Sequence, residues 1–513
     1  MGASRHSLRL GTRGSLLAIA QSRLVARALR ARHQDLDIEL VTITTSGDRD
    51  LATPLDQVAA PGFFSDELDH ALLNEHIDFT VHSMKDLDHK RPAGLMRAAI
   101  PVRENPRDVI VFRGDILQRL RAGSSIRIGS SSARRQHNVA RFLRQYLPAT
   151  GAETDLRFEP LRGPVDARVA RIATDPEQPE ALDGVVLALA GLARLWTDEA
   201  GREALRPYLA GARWMVLPLS ECPTAPAQGA LALECRSQDA RTRNLLRVLE
   251  DPATAELVRL ETDALQNIPQ SERSPAGVTA IRHDTLGPLL YSRSATDTRA
   301  HIEWNEPKRA DHQHPALPWD GGTWRSTGAN RPVDHEFRLE PDAAVFIAHW
   351  LAAADVVVNR DAARIWVSGT KSWRKLAERG IWVEGCADNL GFEDIKATLT
   401  CDVLGLPALS EWVALTKRGA ESSWQASGVD TVVATYESCS APPPNAKEMR
   451  AQVRRATDFF WGSIDQYRAV EAWLPGNARH ACGGGKTARA LRAAGVDAPL
   501  VFPSRREWRE WLR

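Results

Sequence analysis

The chain has 513 residues, more than one hydrophobic core normally organises, so its length predicts several domains. Its 66 basic and 65 acidic side chains leave a net charge of +1, which excludes a general attraction to nucleic acid or anionic membranes. The six cysteines form no Cys-x-x-Cys pair, so we expect neither a metal site nor a disulfide framework. Without an apolar leader or a membrane-spanning apolar run, the expected setting is the cytoplasm.

The first 200 residues alternate between strand and helix patterns. Residues 8–33 predict a short strand, a glycine-containing turn and an amphipathic helix, because apolar side chains recur at helical spacing. A strand, a helix and a strand follow up to residue 83, and residues 124–147 and 181–196 repeat the plan. This alternation predicts mostly parallel sheets with helices on both faces.

Polar clusters follow three of the predicted strands. They are Arg13 to Ser15, His82 to Asp86, and Ser130 to Arg135. In open α/β sheets, ligands bind at the C-terminal ends of strands, against the N-termini of helices. We therefore expect the three clusters to converge on one cleft.

Arginines dominate these clusters and the predicted loop that begins near residue 161. The candidates are Arg13, Arg134, Arg135, Arg162 and Arg168. Each guanidinium offers a bidentate fork for a carboxylate or phosphate, and a helix N-terminus adds free N–H groups. Two interpretations stay open: ordinary surface arginines in an arginine-rich chain, or a site for a polyanionic ligand.

Asp86 is a carboxylate among these cations, directly after Lys85. One interpretation is a helix cap or a surface ion pair. The other is a catalytic carboxylate that stabilises a positive intermediate and exchanges protons at a nitrogen. Opposite charges in one cleft would suit a ligand with anionic arms and a centre that becomes positive.

The second half of the chain is organised differently. Residues 231–266 predict a strand and two helices of a smaller α+β unit, and residues 300–340, rich in proline and glycine, predict a linker. After residue 340 strands and helices alternate again, which predicts a further α/β region.

A series of segments, in order over about residues 7–285, resembles the porphobilinogen deaminase (hydroxymethylbilane synthase) family. They include "LGTRGSLLAIAQS", "VHSMKDL", "GSSSARRQ", "LRGPVDARV" and "APAQGALALECR". The combination of "VHSMKD" with "SSxxRRQ" is highly specific. The resemblance implies two lobes like those of periplasmic binding proteins and a small α+β third domain.

We assign the domains on that basis. Residues 1–100 plus 199–220 form the first lobe, 101–198 the second lobe and 221–299 the third domain. The resemblance also implies a monomeric transferase of tetrapyrrole and heme biosynthesis that condenses four porphobilinogen units, with loss of ammonia each time, on a dipyrromethane cofactor.

The resemblance implies roles for individual residues. Asp86 would be the catalytic carboxylate, which stabilises the cationic pyrrole. The residues that would bind acetate and propionate arms are Arg13, Ser15, Ser83, Lys85, Ser131, Arg134, Arg135, Arg162 and Arg168.

The chain departs from the family pattern at the cofactor. The family attaches dipyrromethane to a cysteine, and the alignment puts Glu272 at that position, where no thioether can form. Two family lysines are replaced by Pro61 and Asp66, and Pro164 and Ala167 replace an asparagine and a threonine. The cofactor would then be held noncovalently by the arginines, or a different cysteine, Cys222, would bind it.

Residues 341–513 more faintly resemble uroporphyrinogen-III synthase, in "WVSGTKSWRKLAERGIWVEG" and "HACGGGKTARALRAAG". In that family backbone N–H groups bind a linear tetrapyrrole between two lobes, so Gly483–Gly485, Thr487 and Tyr436 are candidates. The alternative is an ordinary turn with a helix cap. "GGGKT" lacks the glycine spacing of a phosphate loop, which argues against an NTPase.

Three hypotheses follow for the whole chain. The first is a hydroxymethylbilane synthase fused to a uroporphyrinogen-III synthase-like cyclising region. The second is a noncatalytic paralogue that binds a pyrrole or linear tetrapyrrole. The third is a pyrrole-condensing enzyme of a specialised pathway.

Overall fold

The computed structural model describes residues 6–45, 65–88, 91–308, 316–321, 330–353, 356, 361–438 and 446–513. This part of the chain is a mixed α/β structure with five sheets. Its α-helices are Leu16–Arg32, Asp66–Leu73, Ile116–Arg121, Ala133–Tyr146, Val165–Ala170, Leu189–Thr197, Glu199–Leu209, Ala240–Leu246, Pro252–Asn267, Gln270–Arg273, Thr370–Ala377, Phe392–Leu399, Ala446–Arg455, Ile464–Arg468, Lys486–Ala493 and Arg505–Leu512. Within the described ranges, none of them is long and apolar enough to cross a membrane.

The first sheet carries the strand that leads to Asp86. Its strands, in spatial order, are Leu36–Thr42, His6–Thr12, Phe79–Ser83, Leu231–Arg236 and Leu95–Ala99. The first three are parallel, and Leu231–Arg236 runs antiparallel to both of its neighbours. The loops after two parallel strands therefore open at the same edge of the sheet.

The second sheet has a similar plan. Its strands, in spatial order, are Leu156–Glu159, Ile126–Gly129, Gly184–Ala188, Asp108–Phe112 and Arg213–Val216. Ile126–Gly129 is parallel to both of its neighbours, and Asp108–Phe112 is antiparallel to both of its own.

The predicted domain boundaries assign two strands to lobes or domains whose sheets they do not join in the structure. Arg213–Val216, expected in the first lobe, pairs with Asp108–Phe112 in the second sheet. Leu231–Arg236, expected in the third domain, is a central strand of the first sheet. The reason is that strand pairing joins segments far apart in sequence, so an apolar run does not reveal which sheet will bury it.

The third sheet is an antiparallel meander of Gly277–His283, Gly287–Arg293 and His301–Glu303. The predicted linker at 300–340 supplies its last strand and two more: Pro318–Trp319 and Asn330–Pro332 join two C-terminal sheets. Where it is described, this segment is therefore tied into three sheets at their edges.

The C-terminal half contains two further sheets, and strands and helices alternate in it as predicted. The six-stranded sheet has the order Asn330–Pro332, Thr431–Ser438, Val413–Lys417, Ala344–Ile347, Arg364–Val367 and Gly385–Cys386, and only its first strand is antiparallel. The four-stranded parallel sheet has the order Pro318–Trp319, Asp458–Trp461, Arg479–Gly483 and Leu500–Phe502.

The six-stranded sheet meets the second sheet edge to edge. Val216 N–H donates to the Glu384 carbonyl at 2.7 Å. Trp382 donates its indole N–H to the Trp214 carbonyl at 3.1 Å and packs edge-on against Phe112, with 5.3 Å between ring centroids. Apolar side chains from both sheets share continuous hydrophobic cores, so burial holds the two halves of the chain together.

Candidate functional site

A cavity of about 850 Å³ is lined by loops that follow strands of the first and second sheets, and by the segment that leads to the third sheet. It contains all ten residues that the family resemblance assigns to catalysis or carboxylate binding. Those lining it are Arg13, Ser15, Ser83, Lys85, Asp86, Ser131, Arg134, Arg135, Arg162 and Arg168. Their convergence agrees with the expectation from strand ends, while their individual roles remain predictions.

The cavity residues that follow strands of the first sheet are positioned by a helix N-terminus and a 3₁₀ turn. Ser15 is the N-cap of helix Leu16–Arg32 and accepts a hydrogen bond from Ala18 N–H. Lys85 and Asp86 lie in a 3₁₀ turn directly after strand Phe79–Ser83, and Ser83 Oγ accepts a hydrogen bond from Gln21 at 3.0 Å. The end of a central strand therefore carries the carboxylate into the cavity.

Asp108 binds the two adjacent arginines at the start of helix Ala133–Tyr146. Asp108 Oδ2 accepts from Arg134 Nη1 at 2.8 Å, and Asp108 Oδ1 accepts from Arg135 Nη2 at 2.7 Å. Burial alone would raise the pKa of the Asp108 carboxyl, but the two guanidinium groups hold that pKa well below its usual range. The sequence reasoning missed this partner, although a single aspartate at the start of an apolar strand was the available signal.

Two further cations of the cavity, Arg168 and Arg194, donate to backbone carbonyl groups. Arg168 Nε donates to the Gly163 carbonyl at 2.7 Å, and burial lowers the pKa of Arg168 to about 10. Within the described ranges, Arg162 Nη1 is buried without a hydrogen-bond partner. Arg194, which the sequence reasoning also missed, donates to the Gly229 carbonyl at 2.6 Å, and burial lowers its pKa to about 10.

The cavity as a whole is strongly cationic. Eight arginine and lysine side chains and two aspartates line the part that the structure describes. Several of these cations are buried, and a buried unpaired charge is costly, so an anionic ligand with several carboxylates would lower the free energy of the site.

Asp86 is the exposed carboxylate of this cavity. Among the described residues its oxygens form no hydrogen bond and no ion pair within 4.0 Å. Its negative charge nevertheless partly opposes the lowering of the pKa values of Lys85 and Arg168 by burial. A carboxylate in this state is available to a positive centre on a ligand.

Among the cations that line this cavity where it is described, Lys85 is the one whose pKa lies nearest to neutrality. Burial lowers its pKa to about 8, against the opposite effect of Asp86, and its Nζ lies 3.4 Å from Gln228 Oε1. We expect the affinity for a pyrrole carboxylate to fall as pH rises through about 8, because Lys85 then loses its charge. Titration calorimetry between pH 6.5 and 9.5 measures this. Lys85→Arg should remove the loss in this range, and an unchanged profile would exclude Lys85 as its cause.

Glu272 lies outside this cavity. It lines a second cavity of about 520 Å³ and accepts from Thr296 Oγ1 at 3.5 Å. Its neighbours Arg273 and Ser274 line the first cavity instead, and Arg273 donates to the carbonyl groups of Gln266 and Ile268 at the end of a helix.

The structure therefore fits a dipyrromethane only in part. The cationic cavity suits its carboxylate arms, but none of the five described cysteines lines the cavity. Cys222 is buried, and burial raises the pKa of its thiol. Cys439 and Pro61 lie outside the described residues. Asp66 begins helix Asp66–Leu73 and does not line the cavity.

A buried group of Asp69, His82 and Glu234 is the one metal-like cluster in the described part of the chain, with ligand atoms within 4.8 Å of one another. Arg91 already donates to Asp69 at 2.6 Å and to Glu234 at 2.8 Å. Burial, with the charges of Arg91 and Arg13, lowers the pKa of His82 to about 3. The two carboxylates of this cluster are therefore already paired with the Arg91 guanidinium instead of being available as metal ligands.

The C-terminal candidates lie in a packed region. A Cβ atom on Gly484 would lie 3.1 Å from the His283 ring. Lys486 Nζ lies 3.8 Å above the Trp424 ring, and burial lowers its pKa to about 8. Burial raises the pKa of Tyr436 to about 12. The glycine turn therefore contacts the third sheet.

These features define an α/β protein whose cation-lined cavity suits a small polycarboxylate and contains the exposed carboxylate of Asp86. A family model described as "Porphobilinogen deaminase, dipyromethane cofactor binding domain" matches residues 8–244. The chain is 37% identical over 317 residues to "Porphobilinogen deaminase" of Sorangium cellulosum (strain So ce56), covering 62% of this chain and 93% of that protein. It is 40% identical over 266 residues to the protein of that name from Syntrophotalea carbinolica, covering 52% of this chain and 75% of that one. The chain belongs to the porphobilinogen deaminase family, which confirms the identification from its motifs.

Proposed function

We propose that this chain condenses porphobilinogen head to tail into a linear tetrapyrrole, the hydroxymethylbilane synthase reaction of tetrapyrrole biosynthesis. The observation that carries the proposal is the free carboxylate of Asp86 in a cavity lined by eight cations. Porphobilinogen has an acetate and a propionate arm on a pyrrole ring whose aminomethyl carbon becomes positive as ammonia leaves. This charge pattern is complementary to that of the cavity.

In this mechanism the cations bind and orient the two carboxylates of the substrate. The bond from the aminomethyl carbon to nitrogen breaks, and the positive charge spreads to the pyrrole nitrogen, where Asp86 stabilises it. A carbon–carbon bond then forms to the free ring carbon of the next pyrrole. That ring carbon loses its proton, which ammonia takes up as ammonium, so atoms and charge balance.

The dipyrromethane named by the family model would lie in the same cavity, bound by cations such as Arg134, Arg135 and Arg168. When bound, it supplies the pyrrole end to which units are added. We propose that it is held by ion pairs without a thioether, because Glu272 faces the second cavity and no described cysteine lines the first.

Intact mass spectrometry and a turnover assay test these two proposals. We expect the purified protein to have the mass of its sequence alone. Incubation with porphobilinogen, followed by acid oxidation, should yield uroporphyrin. A covalent mass increment of a dipyrromethane would contradict noncovalent binding, and a family member that has the attachment cysteine serves as the positive control.

A second candidate function is that of a paralogue that binds pyrroles without turnover. It is favoured by the absence of a cavity thiol in the described part and by Asp66 at the position of a family lysine. Saturable porphobilinogen binding without any coloured product would support this function over the first. A condensing enzyme of a specialised pathway would instead give a product other than uroporphyrin.

We propose the finer architecture on the same basis. The first and second sheets correspond to the two lobes of the family and the third sheet to its small domain. We propose that residues 341–513 form a uroporphyrinogen-III synthase-like region, and the two mainly parallel sheets of the C-terminal half support this.

A further inference from the structure

Two chain segments connect the first sheet with the second. Residues 100–107 run from strand Leu95–Ala99 to strand Asp108–Phe112, and residues 217–230 return from Arg213–Val216 to Leu231–Arg236. The cavity takes side chains from both sheets, so the course of these connections sets the distance between its two sides.

A carboxylate from the C-terminal half binds both connections. Asp388 Oδ2 accepts from Leu219 N–H at 2.9 Å, and Asp388 Oδ1 accepts from Ser220 Oγ at 2.5 Å and from Ser220 N–H at 3.4 Å. Arg107 Nη2 lies 3.7 Å from Asp388 Oδ2, and the Asp388 side chain is fully buried. One buried side chain therefore joins 219–220 to residue 107.

Other features show that this contact is well constrained. Thr398 Oγ1 accepts from Asn105 Nδ2 at 2.7 Å, which ties the first connection to the C-terminal half a second time. Asp388 and Asn389 have φ values of 49° and 64°, in the left-handed region that aspartate and asparagine adopt more readily than other non-glycine residues. This local turn directs the Asp388 side chain towards the two connections.

The connections continue directly into the site. Arg107 precedes Asp108, the carboxylate that holds Arg134 and Arg135, and Leu217 N–H donates to the Asp108 carbonyl at 2.9 Å. Gln228, in the second connection, donates to Asp108 Oδ1 at 2.9 Å and accepts from Lys85.

We propose that Asp388 is a positioning residue of the ligand cavity. Through it, the C-terminal half holds Arg134 and Arg135 at a set distance from Lys85 and Asp86. The identity of the ligand rests on the proposed function, whereas the restraint on the two connections does not.

The test compares Asp388→Asn with a matched control. Asparagine keeps the size of the side chain and tolerates a left-handed backbone, but it loses the charge opposite Arg107 and one acceptor. Asp361→Ala is the control, because Asp361 also joins the two halves, through Arg121 at 2.8 Å, but lies half-exposed and away from the connections. Ser220→Ala is a milder second variant, which removes one hydroxyl.

We expect Asp388→Asn to raise KM and Kd for porphobilinogen by roughly tenfold, with kcat within about twofold, because Asp388 does not contact the reacting atoms. Hydrogen exchange should become faster in 100–107 and 217–230. Ser220→Ala should act in the same direction and be non-additive with Asp388→Asn.

The inference is overturned if both variants bind like the Asp361→Ala control and exchange in the two connections is no faster. If the unmodified protein does not bind porphobilinogen, the proposed function fails, and the exchange comparison alone decides the role of Asp388.

Discussion

Replacement of Asp86 by asparagine is expected to lower kcat for porphobilinogen condensation by about 10²- to 10³-fold, the usual loss when a preorganised group that stabilises transition-state charge is removed. Kd for porphobilinogen should change by no more than about threefold, because the cations that bind its arms remain in place. Asparagine has nearly the same shape as aspartate but carries no charge to stabilise the pyrrole cation. Single-turnover kinetics with calorimetry separates the two effects.

Asp166→Asn is the matched control for this prediction. Asp166 lines the same cavity, so its replacement removes the same charge from the same lining. We expect this variant to keep most of its turnover. Full activity of Asp86→Asn, or equal losses in both variants, would contradict the assignment of Asp86 as the catalytic carboxylate.

Replacement of Asp108 by asparagine is expected to cause the largest loss of stability, roughly 3–5 kcal/mol, as is typical when one partner of a buried ion pair is removed. Asp108 is 1% exposed and is bonded to two buried arginines, which would then lack a counter-charge. Thermal unfolding followed by circular dichroism would show a markedly lower midpoint. Porphobilinogen should partly restore the midpoint, because its carboxylates supply the missing charge.

Asp155→Asn provides the control for stability. Asp155 is paired with Arg157 on the surface, where both side chains are more than half exposed and water screens their charges, so the unfolding midpoint should stay close to that of the unmodified protein. The stabilisation that Asp108 provides also depends on pH, and the sign of this dependence follows from the pKa of its carboxyl. Because the pKa of Asp108 is held low in the folded state, its stabilisation is present above its unfolded pKa and is lost as pH falls through the folded value. Equal unfolding midpoints for Asp108→Asn and Asp155→Asn would contradict the role of Asp108 as the counter-charge of the two buried arginines.

The local pattern of the sequence predicted most of the charged residues that line the cavity. Ser15, Lys85 and Arg134 all follow predicted strands, and parallel strands place such positions at one edge of a sheet. The same argument could not find Arg194, which lies inside an apolar helical pattern, because a buried cation there looks like part of the core.

The sequence by itself determined the family, the strand and helix alternation, and most of the charged residues that line the cavity, because these depend on short motifs and on the periodicity of apolar side chains. Only the tertiary structure decided that Asp108 neutralises the paired arginines, that Glu272 faces away from the cavity and that Asp388 reaches the two connections. The tertiary structure also decided that strand Leu231–Arg236 pairs within the first sheet. The physical reason is that each of these features is a contact between segments distant in the chain, and such contacts are selected by burial and charge pairing in the folded molecule.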